Sequence, residues 1–203
     1  MDTLLGEETH IGIAPATVLG ISFSGELAFE IHIENQNLHA AYSALRNAGA
    51  AHDLGLFGSR AVDTMRLEKG FLHWKADILT EFDPFETGLD RFVKMEKDDF
   101  IGKSALVERV AAGLQRKLIT LAIECDDAPA HGGASVRADN QIIGTVTSGG
   151  WGHRTGFNLA FAFVDPDFAT TGTDLSVDII GAPVTARVIE SGPYDPGYER
   201  MRA

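Results

Sequence analysis

The alternation of apolar and polar residues predicts two strands near the start of the chain. Residues 15–33 predict a strand, a turn at Ser24-Gly25-Glu26 and a second strand. In the second strand the apolar side chains occupy every second position, namely Leu27, Phe29, Ile31 and Ile33. The turn places a carboxylate inside an otherwise regular β segment.

After these two strands the apolar residues recur with the spacing of a helix. Residues 36–48 predict a helix with one apolar face, and Gly49 is placed to end it as a left-handed glycine. The residues expected to be buried on that face are Leu38, Ala41, Tyr42 and Leu45.

Two further helices are predicted before the middle of the chain. Residues 55–70 predict the second helix, which begins near Gly58 and ends at Gly70. Its apolar residues Ala61, Met65 and Leu67 are expected to be buried. Residues 71–88, which contain Pro84, are expected to be irregular. Residues 103–112 predict the third helix.

From Lys117 onward the pattern is that of short strands. Six apolar runs are separated by glycine, aspartate, asparagine and proline, with hairpin turns expected at residues 139–140 and 180–182. This spacing predicts a small antiparallel barrel or sandwich. The fold class is therefore α+β, with a mixed αβ domain over residues 1–113 and a β-barrel domain over residues 114–203.

The net charge of the chain limits the classes of binding partner that it is expected to have. The 203 residues carry a formal net charge of −12, which argues against a broad surface for nucleic acid or an anionic membrane. Cys125 is the only cysteine, so no internal disulfide is possible. Neither a signal peptide nor a membrane helix is expected, and we predict a cytoplasmic protein.

Common catalytic motifs are missing from the sequence. The seven histidines include no H-E-x-x-H pair, so no metal site is expected. No G-x-S-x-G, P-loop or G-x-G-x-x-G motif occurs. The glycine-rich residues 148–156 precede an apolar run typical of a strand, which favours a hairpin turn carrying Trp151, His153 and Arg154 over a phosphate loop.

Glu26 has two interpretations. It is either a solvent-exposed turn acid or a carboxylate whose two oxygens accept adjacent N–H donors of a ligand. A 2-amino-4-oxo-pteridine ring presents such a donor pair.

The charged end of the second helix and the tryptophans also allow a structural interpretation. Arg66, Glu68 and Lys69 could form a solvated ion-pair face. Trp74 and Trp151 are more often packing residues than ligand platforms.

Seven collinear segments resemble the aminomethyltransferase family, which includes the glycine cleavage T-protein and the folate-binding region of dimethylglycine and sarcosine dehydrogenases. They are SGELAFEIH, RAVDTMRLEKGF, W-x-x-D-I at Trp74–Ile78, DPFETGLDRFV, DFIGKSAL, GTVTSGG and YDPGYERMR. RLEKG followed by W-x-x-D, and the Y-D-P-x-x-x-R-x-R ending, are more similar to the sarcosine and dimethylglycine branch. Leu27 and Val62 stand where the T-protein usually has aspartate and arginine.

The resemblance implies that the chain binds tetrahydrofolate. It places Glu26 at the pteridine-binding glutamate, and Arg66 and Trp74, which lie in matched segments, are the other candidate cofactor-binding residues. No flavin site is expected in this chain because no dinucleotide fingerprint occurs, and the resemblance to amine-oxidising enzymes implies that a flavin would lie on another domain or subunit.

The resemblance also implies that the family's N-terminal half, with its catalytic aspartate, is missing here. Asp63 and Asp77 lie in matched segments but not at that catalytic position, so no catalytic residue is assigned. The expected function is the folate-binding portion of a one-carbon transferase that depends on a missing half or a protein partner. The alternative is a non-catalytic interaction module with the same fold.

Overall fold

The structure is a computed structural model that describes residues 6–202. It contains two compact units, one of residues up to Met65 together with those from Asp195, the other of Arg66–Tyr194. The predicted domain boundary between residues 113 and 114 stays a prediction. The outermost residues of the two predicted domains, 1–5 and 203, lie outside the described residues.

The first unit contains a three-stranded antiparallel sheet in the order β1-β2-β3. Strand β1 spans Glu7–Ile11, β2 spans Ala14–Leu19 and β3 spans Glu30–His32. The predicted strand, turn and strand over 15–33 are confirmed, with a bend at residues 23–27 and a shorter second arm than the alternation suggests. The sequence analysis missed β1, whose residues EETHI are largely exposed and do not alternate.

Helix α1 spans Leu38–Gly49 and contacts β1 and β2. Ala41 is its only buried residue, so the expectation that Leu38, Tyr42 and Leu45 are buried is wrong. The expectation that Gly49 is a left-handed helix end is also wrong. Gly49 is still helical, and the reversal comes at Asp53, which has φ 54°. A Cβ on Gly49 would lie 2.4 Å from the side chain of Leu54, so close packing is what requires glycine there.

Helix α2 spans Ser59–Lys69 and ends as the sequence predicts. Gly70 has φ 77°, its amide donates to the Leu67 carbonyl, and the next amide donates to the Arg66 carbonyl. This is the Schellman arrangement, which satisfies the last carbonyls of the helix. Ala61, expected to be buried, is exposed.

The second unit includes the last turn of α2, the predicted irregular segment and helix α3, Lys103–Ala112. The segment from Phe71 to Gly88 contains no helix or strand, apart from one isolated bridge between Trp74 and Ile78. Both of these predictions are confirmed.

A closed antiparallel barrel completes the second unit, in the strand order β4-β7-β6-β5-β8-β9. Its strands are β4 Lys117–Ile123, β5 Ser135–Ala138, β6 Gln141–Gly152, β7 Phe157–Val164, β8 Asp174–Ile179 and β9 Ala182–Ile189. Closure through the β4–β9 pair leaves no free sheet edge. The two predicted hairpins are confirmed, and Ile180 and Gly181 both have positive φ, as a two-residue hairpin loop favours.

Strand β7 is buried on both faces. Ala160, Ala162 and Val164 belong to the barrel core. The ring of Phe82 covers Phe163, with 3.7 Å between ring centroids. This covering of the barrel wall explains why seven consecutive residues of β7 are buried without alternation.

We expect Gly144→Ala to lower the free energy of unfolding by about 2 kcal/mol or more. An added Cβ would lie 2.2 Å from the backbone oxygen of Phe163, so the β6–β7 ladder would have to open. Urea denaturation followed by circular dichroism measures the loss. Gly55→Ala is the control, since nothing lies within 4 Å of its added Cβ. Equal stability of both variants would contradict the tight fit at Gly144.

Candidate functional site

Arg66 and Asp77 form a buried ion pair in the second unit. Arg66 is 4% exposed and Asp77 is fully buried, with 2.5 Å between Nη1 and Oδ2. The other guanidinium nitrogen, Nη2, donates to Ser148 Oγ at 2.8 Å. The expectation of a solvated ion-pair face at this end of α2 is therefore wrong.

Asp77 is held through both of its oxygens. Oδ2 also accepts the backbone amide of His73 at 2.8 Å, while Oδ1 accepts the hydroxyls of Thr147 and Ser148 at 2.5 and 2.7 Å. Four donors and a guanidinium charge compensate the desolvated carboxylate. Such a satisfied group is suited to positioning the chain around it.

The turn at residues 73–78 is the segment that Asp77 positions. Besides the His73 amide bond, the Lys75 amide donates to the Ile78 carbonyl at 3.1 Å. Trp74 lies on this turn and is 65% exposed. Trp74 is therefore not a core packing residue. Arg66 is connected to the turn that carries Trp74 through its ion pair with Asp77.

A second buried carboxylate lies on the same helix end. Glu68 is 1% exposed and pairs with Arg154 at 2.7 Å. Its Oε1 accepts the backbone amides of Arg154 and Thr155 at 2.7 and 2.8 Å. The Arg154 guanidinium lies 3.7 Å from the ring centroid of Tyr194. The predicted hairpin is confirmed with its turn at residues 153–156, where the bonds of Glu68 fix it, whereas residues 148–152, including Trp151, belong to strand β6.

Gly152 permits the approach of Glu68. A Cβ at this position would lie 2.8 Å from Glu68 Cγ and 2.4 Å from Thr155 Oγ1. The glycine-rich segment is thus used for close packing against a buried acid. No phosphate-binding geometry is needed to explain it.

Glu26 lies in the first unit, on the bend between β2 and β3. Gly25 is buried with φ 82°, and its amide donates to Ser22 Oγ at 3.1 Å. The amide of Glu26 donates to Ser24 Oγ at 3.4 Å. Glu26 is partly buried, and both interpretations, a turn acid or a ligand-binding carboxylate, stay open.

The sequence analysis missed Ser148, Thr147 and the pairing of Glu68 with Arg154. These contacts join residues 70 or more positions apart, and no local spacing signals them. Within residues 6–202 no cluster of histidine, cysteine and acidic side chains has the arrangement of a metal site. No described helix is long and apolar enough to cross a membrane.

Two domain families match the chain in consecutive order. The GCVT N-terminal domain matches residues 3–97, and the glycine cleavage T-protein C-terminal barrel domain matches residues 116–195. The second match coincides with most of the closed barrel described above.

Curated relatives fall into two groups. Mitochondrial dimethylglycine dehydrogenase of Rattus norvegicus is 35% identical over 87% of this chain and 21% of its own length. Mitochondrial sarcosine dehydrogenase of Mus musculus is 32% identical over 90% of this chain and 21% of its own length. An aminomethyltransferase of Saccharopolyspora erythraea is 35% identical over 91% of this chain and 50% of its own length. The chain thus spans between a fifth and a half of the length of these relatives.

A solved structure has the same fold. The crystal structure of glycine cleavage system aminomethyltransferase T from Bartonella henselae superposes with a TM-score of 0.84 at 24% identity, covering 96% of this chain and 54% of that one. The predicted α+β fold with a small antiparallel barrel is confirmed.

We expect Asp77→Asn to lower the free energy of unfolding by about 3–5 kcal/mol, because it leaves the buried Arg66 charge without its counterion. Chemical denaturation measures the change. Asp174→Asn is the matched control, because Asp174 pairs with Arg187 at an exposed site and its loss should cost less than about 1 kcal/mol. An equal decrease in the free energy of unfolding for the two variants would contradict the larger contribution expected of the buried ion pair.

Proposed function

The chain belongs to the aminomethyltransferase family of the glycine cleavage T-protein, and from this premise we propose that it is the tetrahydrofolate-binding portion of a one-carbon transfer protein of the sarcosine and dimethylglycine branch. The observation that carries the proposal is the consecutive match to both domain families, with Glu26 inside the first. The dehydrogenase relatives and the motifs RLEKG and W-x-x-D support the branch.

Glu26 is the proposed acceptor for the pteridine ring. Its carboxylate offers two oxygens, and a 2-amino-4-oxo-pteridine presents two adjacent N–H donors to them. The serine hydroxyls that accept the amides of Gly25 and Glu26 stabilise the bend that carries the acid. A carboxylate on a preformed bend loses little conformational entropy when the ligand binds.

Arg66 and Trp74 contribute in different ways to the proposed folate site. The exposed indole of Trp74 is suited to stack on a planar ring. Arg66 is buried and bonded to Asp77 and Ser148, so it acts by holding the turn that carries Trp74. Arg66 is thus proposed as a positioning residue for the folate site.

Transfer of the one-carbon unit requires a polypeptide that supplies the catalytic group, because no residue here is assigned that role. Bound tetrahydrofolate would supply the accepting amine, and this chain would orient it. Any flavin would lie on another domain or subunit. The cytoplasmic location stays a prediction, as do the absence of nucleic-acid and membrane partners.

We expect Glu26→Gln to weaken binding of tetrahydrofolate about 10- to 100-fold, because a charge-assisted hydrogen-bonded contact contributes about 1.5–3 kcal/mol. Isothermal titration calorimetry under anaerobic conditions measures both dissociation constants. Glu7→Gln, an exposed acid on β1, is the control and should bind as the unchanged chain does. Equal affinities of the unchanged chain and the Glu26 variant would refute the role of Glu26.

Exposed apolar side chains favour the alternative of an interaction module. In the first unit Leu56 and Phe57 are both 68% exposed, and others are exposed by at least half, namely Ile13, Leu27, Phe29, Leu38 and Tyr42. A set of this size in so small a unit is typical of a surface that binds protein. A partner or a second copy that covers it is compatible with folate binding and would also serve a module without catalysis.

We expect the chain to self-associate above its monomer mass of 21.8 kDa as concentration rises, because association removes this apolar surface from water. Size-exclusion chromatography with light scattering measures the mass. Phe57→Glu should reduce association, whereas Ile101→Glu, an exposed apolar position of the second unit, should not. A strictly monomeric chain at all concentrations would count against the interaction surface.

A further inference from the structure

A half-open groove of about 510 Å³ lies on the outer wall of the barrel in the second unit. Its apolar surface comes from β6, β7 and the segment that follows the 73–78 turn, through Leu79, Phe82, Ile142 and Phe163. The stacked rings of Phe82 and Phe163 form an aromatic wall. The volume lies in the range of about 300–1,000 Å³ that is usual for small-molecule sites.

Three glycines line this groove. Gly132, Gly133 and Gly144 all line it, so no side chain projects from these positions. At Gly144 a Cβ would meet the backbone of Phe163, and at Gly133 φ is 91°, a conformation that other residues rarely adopt. The groove is therefore lined in part by glycines that are costly to replace.

Lys75 supplies a positive charge at the groove. It lies on the 73–78 turn with φ 68°, an unfavourable backbone conformation for a lysine. The bonds of Asp77 to Arg66 and His73 stabilise this turn. Within residues 6–202 the Lys75 ammonium has no hydrogen bond or ion pair. Strain of this kind, maintained by surrounding structure, is found preferentially at ligand sites.

The other polar side chains that line the groove differ in whether they already have a bonding partner. Arg116 is paired with Asp165, so its charge is already compensated. Thr145 is exposed, and its hydroxyl has no partner in the described part of the chain. The groove thus combines an apolar, aromatic wall with one uncompensated cation and one free hydroxyl.

We propose that this groove binds a small organic carboxylate with an aromatic or aliphatic body. The body packs on Phe82 and its neighbours, the carboxylate pairs with Lys75, and the Thr145 hydroxyl donates a hydrogen bond to it. The Lys75 ammonium favours an anion at this groove by local charge complementarity, against the negative net charge of −12 of the whole chain. All residues that line this groove belong to the second unit, whereas Glu26 belongs to the first.

Chemical-shift mapping with 3-phenylpropionate on the ¹⁵N-labelled full chain tests the proposal. We expect saturable shifts at the amides of Gly132, Gly133 and Gly144. Lys75→Gln should weaken binding about two- to fivefold, the range for a solvent-exposed ion pair. The uncharged analogue 3-phenylpropionamide should bind the unchanged chain more weakly by a similar factor.

Lys94→Gln is the matched control, since it removes the same charge from an exposed position that does not line the groove. It should leave the dissociation constant unchanged. No shifts at the three glycines, or equal weakening by the Lys75 and Lys94 substitutions, would overturn the proposal. Glu26→Gln should not alter phenylpropionate binding, so failure of the folate proposal is distinguished from failure of this one.

Discussion

The ion pair between Arg66 and Asp77 joins the end of α2 to the 73–78 turn, and the hydroxyls of Thr147 and Ser148 join it to strand β6. Removing two charges from water costs several kcal/mol per ion, and only mutual pairing with further hydrogen bonds offsets that cost. Shifting any of the three segments would leave a buried charge unpaired. The pair therefore specifies one arrangement of helix, turn and barrel wall.

Two other buried carboxylates act in a similar way in the second unit. Glu68 accepts backbone amides of the 153–156 hairpin, and Glu86 accepts the amides of Gln115 and Arg116 where the chain enters β4. In each case an acid satisfies amides from a distant segment that has no ladder partner there. Polar contacts thus attach irregular segments to a barrel whose own core is apolar.

The first unit has a different balance of surface and core. Its sheet has three strands, and α1 buries only Ala41, while several large apolar side chains remain in contact with solvent. A sheet of this size with one short helix encloses little core. The relatives are about two to four times as long as this chain.

The sequence alone determined the features that depend on neighbouring residues. The helix end at Gly70, the hairpins of the barrel and the apolar runs of its six strands follow from local backbone preference and side-chain periodicity. Strand β1, the role of Gly49 and the burial of Arg66, Glu68 and Lys69 did not follow. The sequence analysis took these charged residues for a solvated face, because Ser148 and Arg154, which bond Arg66 and Glu68, are more than 80 positions away, and Asp77, 11 positions from Arg66, lies in the irregular segment beyond the helix end. Only the tertiary structure brings those charges together, since burial is a property of the folded surroundings and is encoded by no single segment.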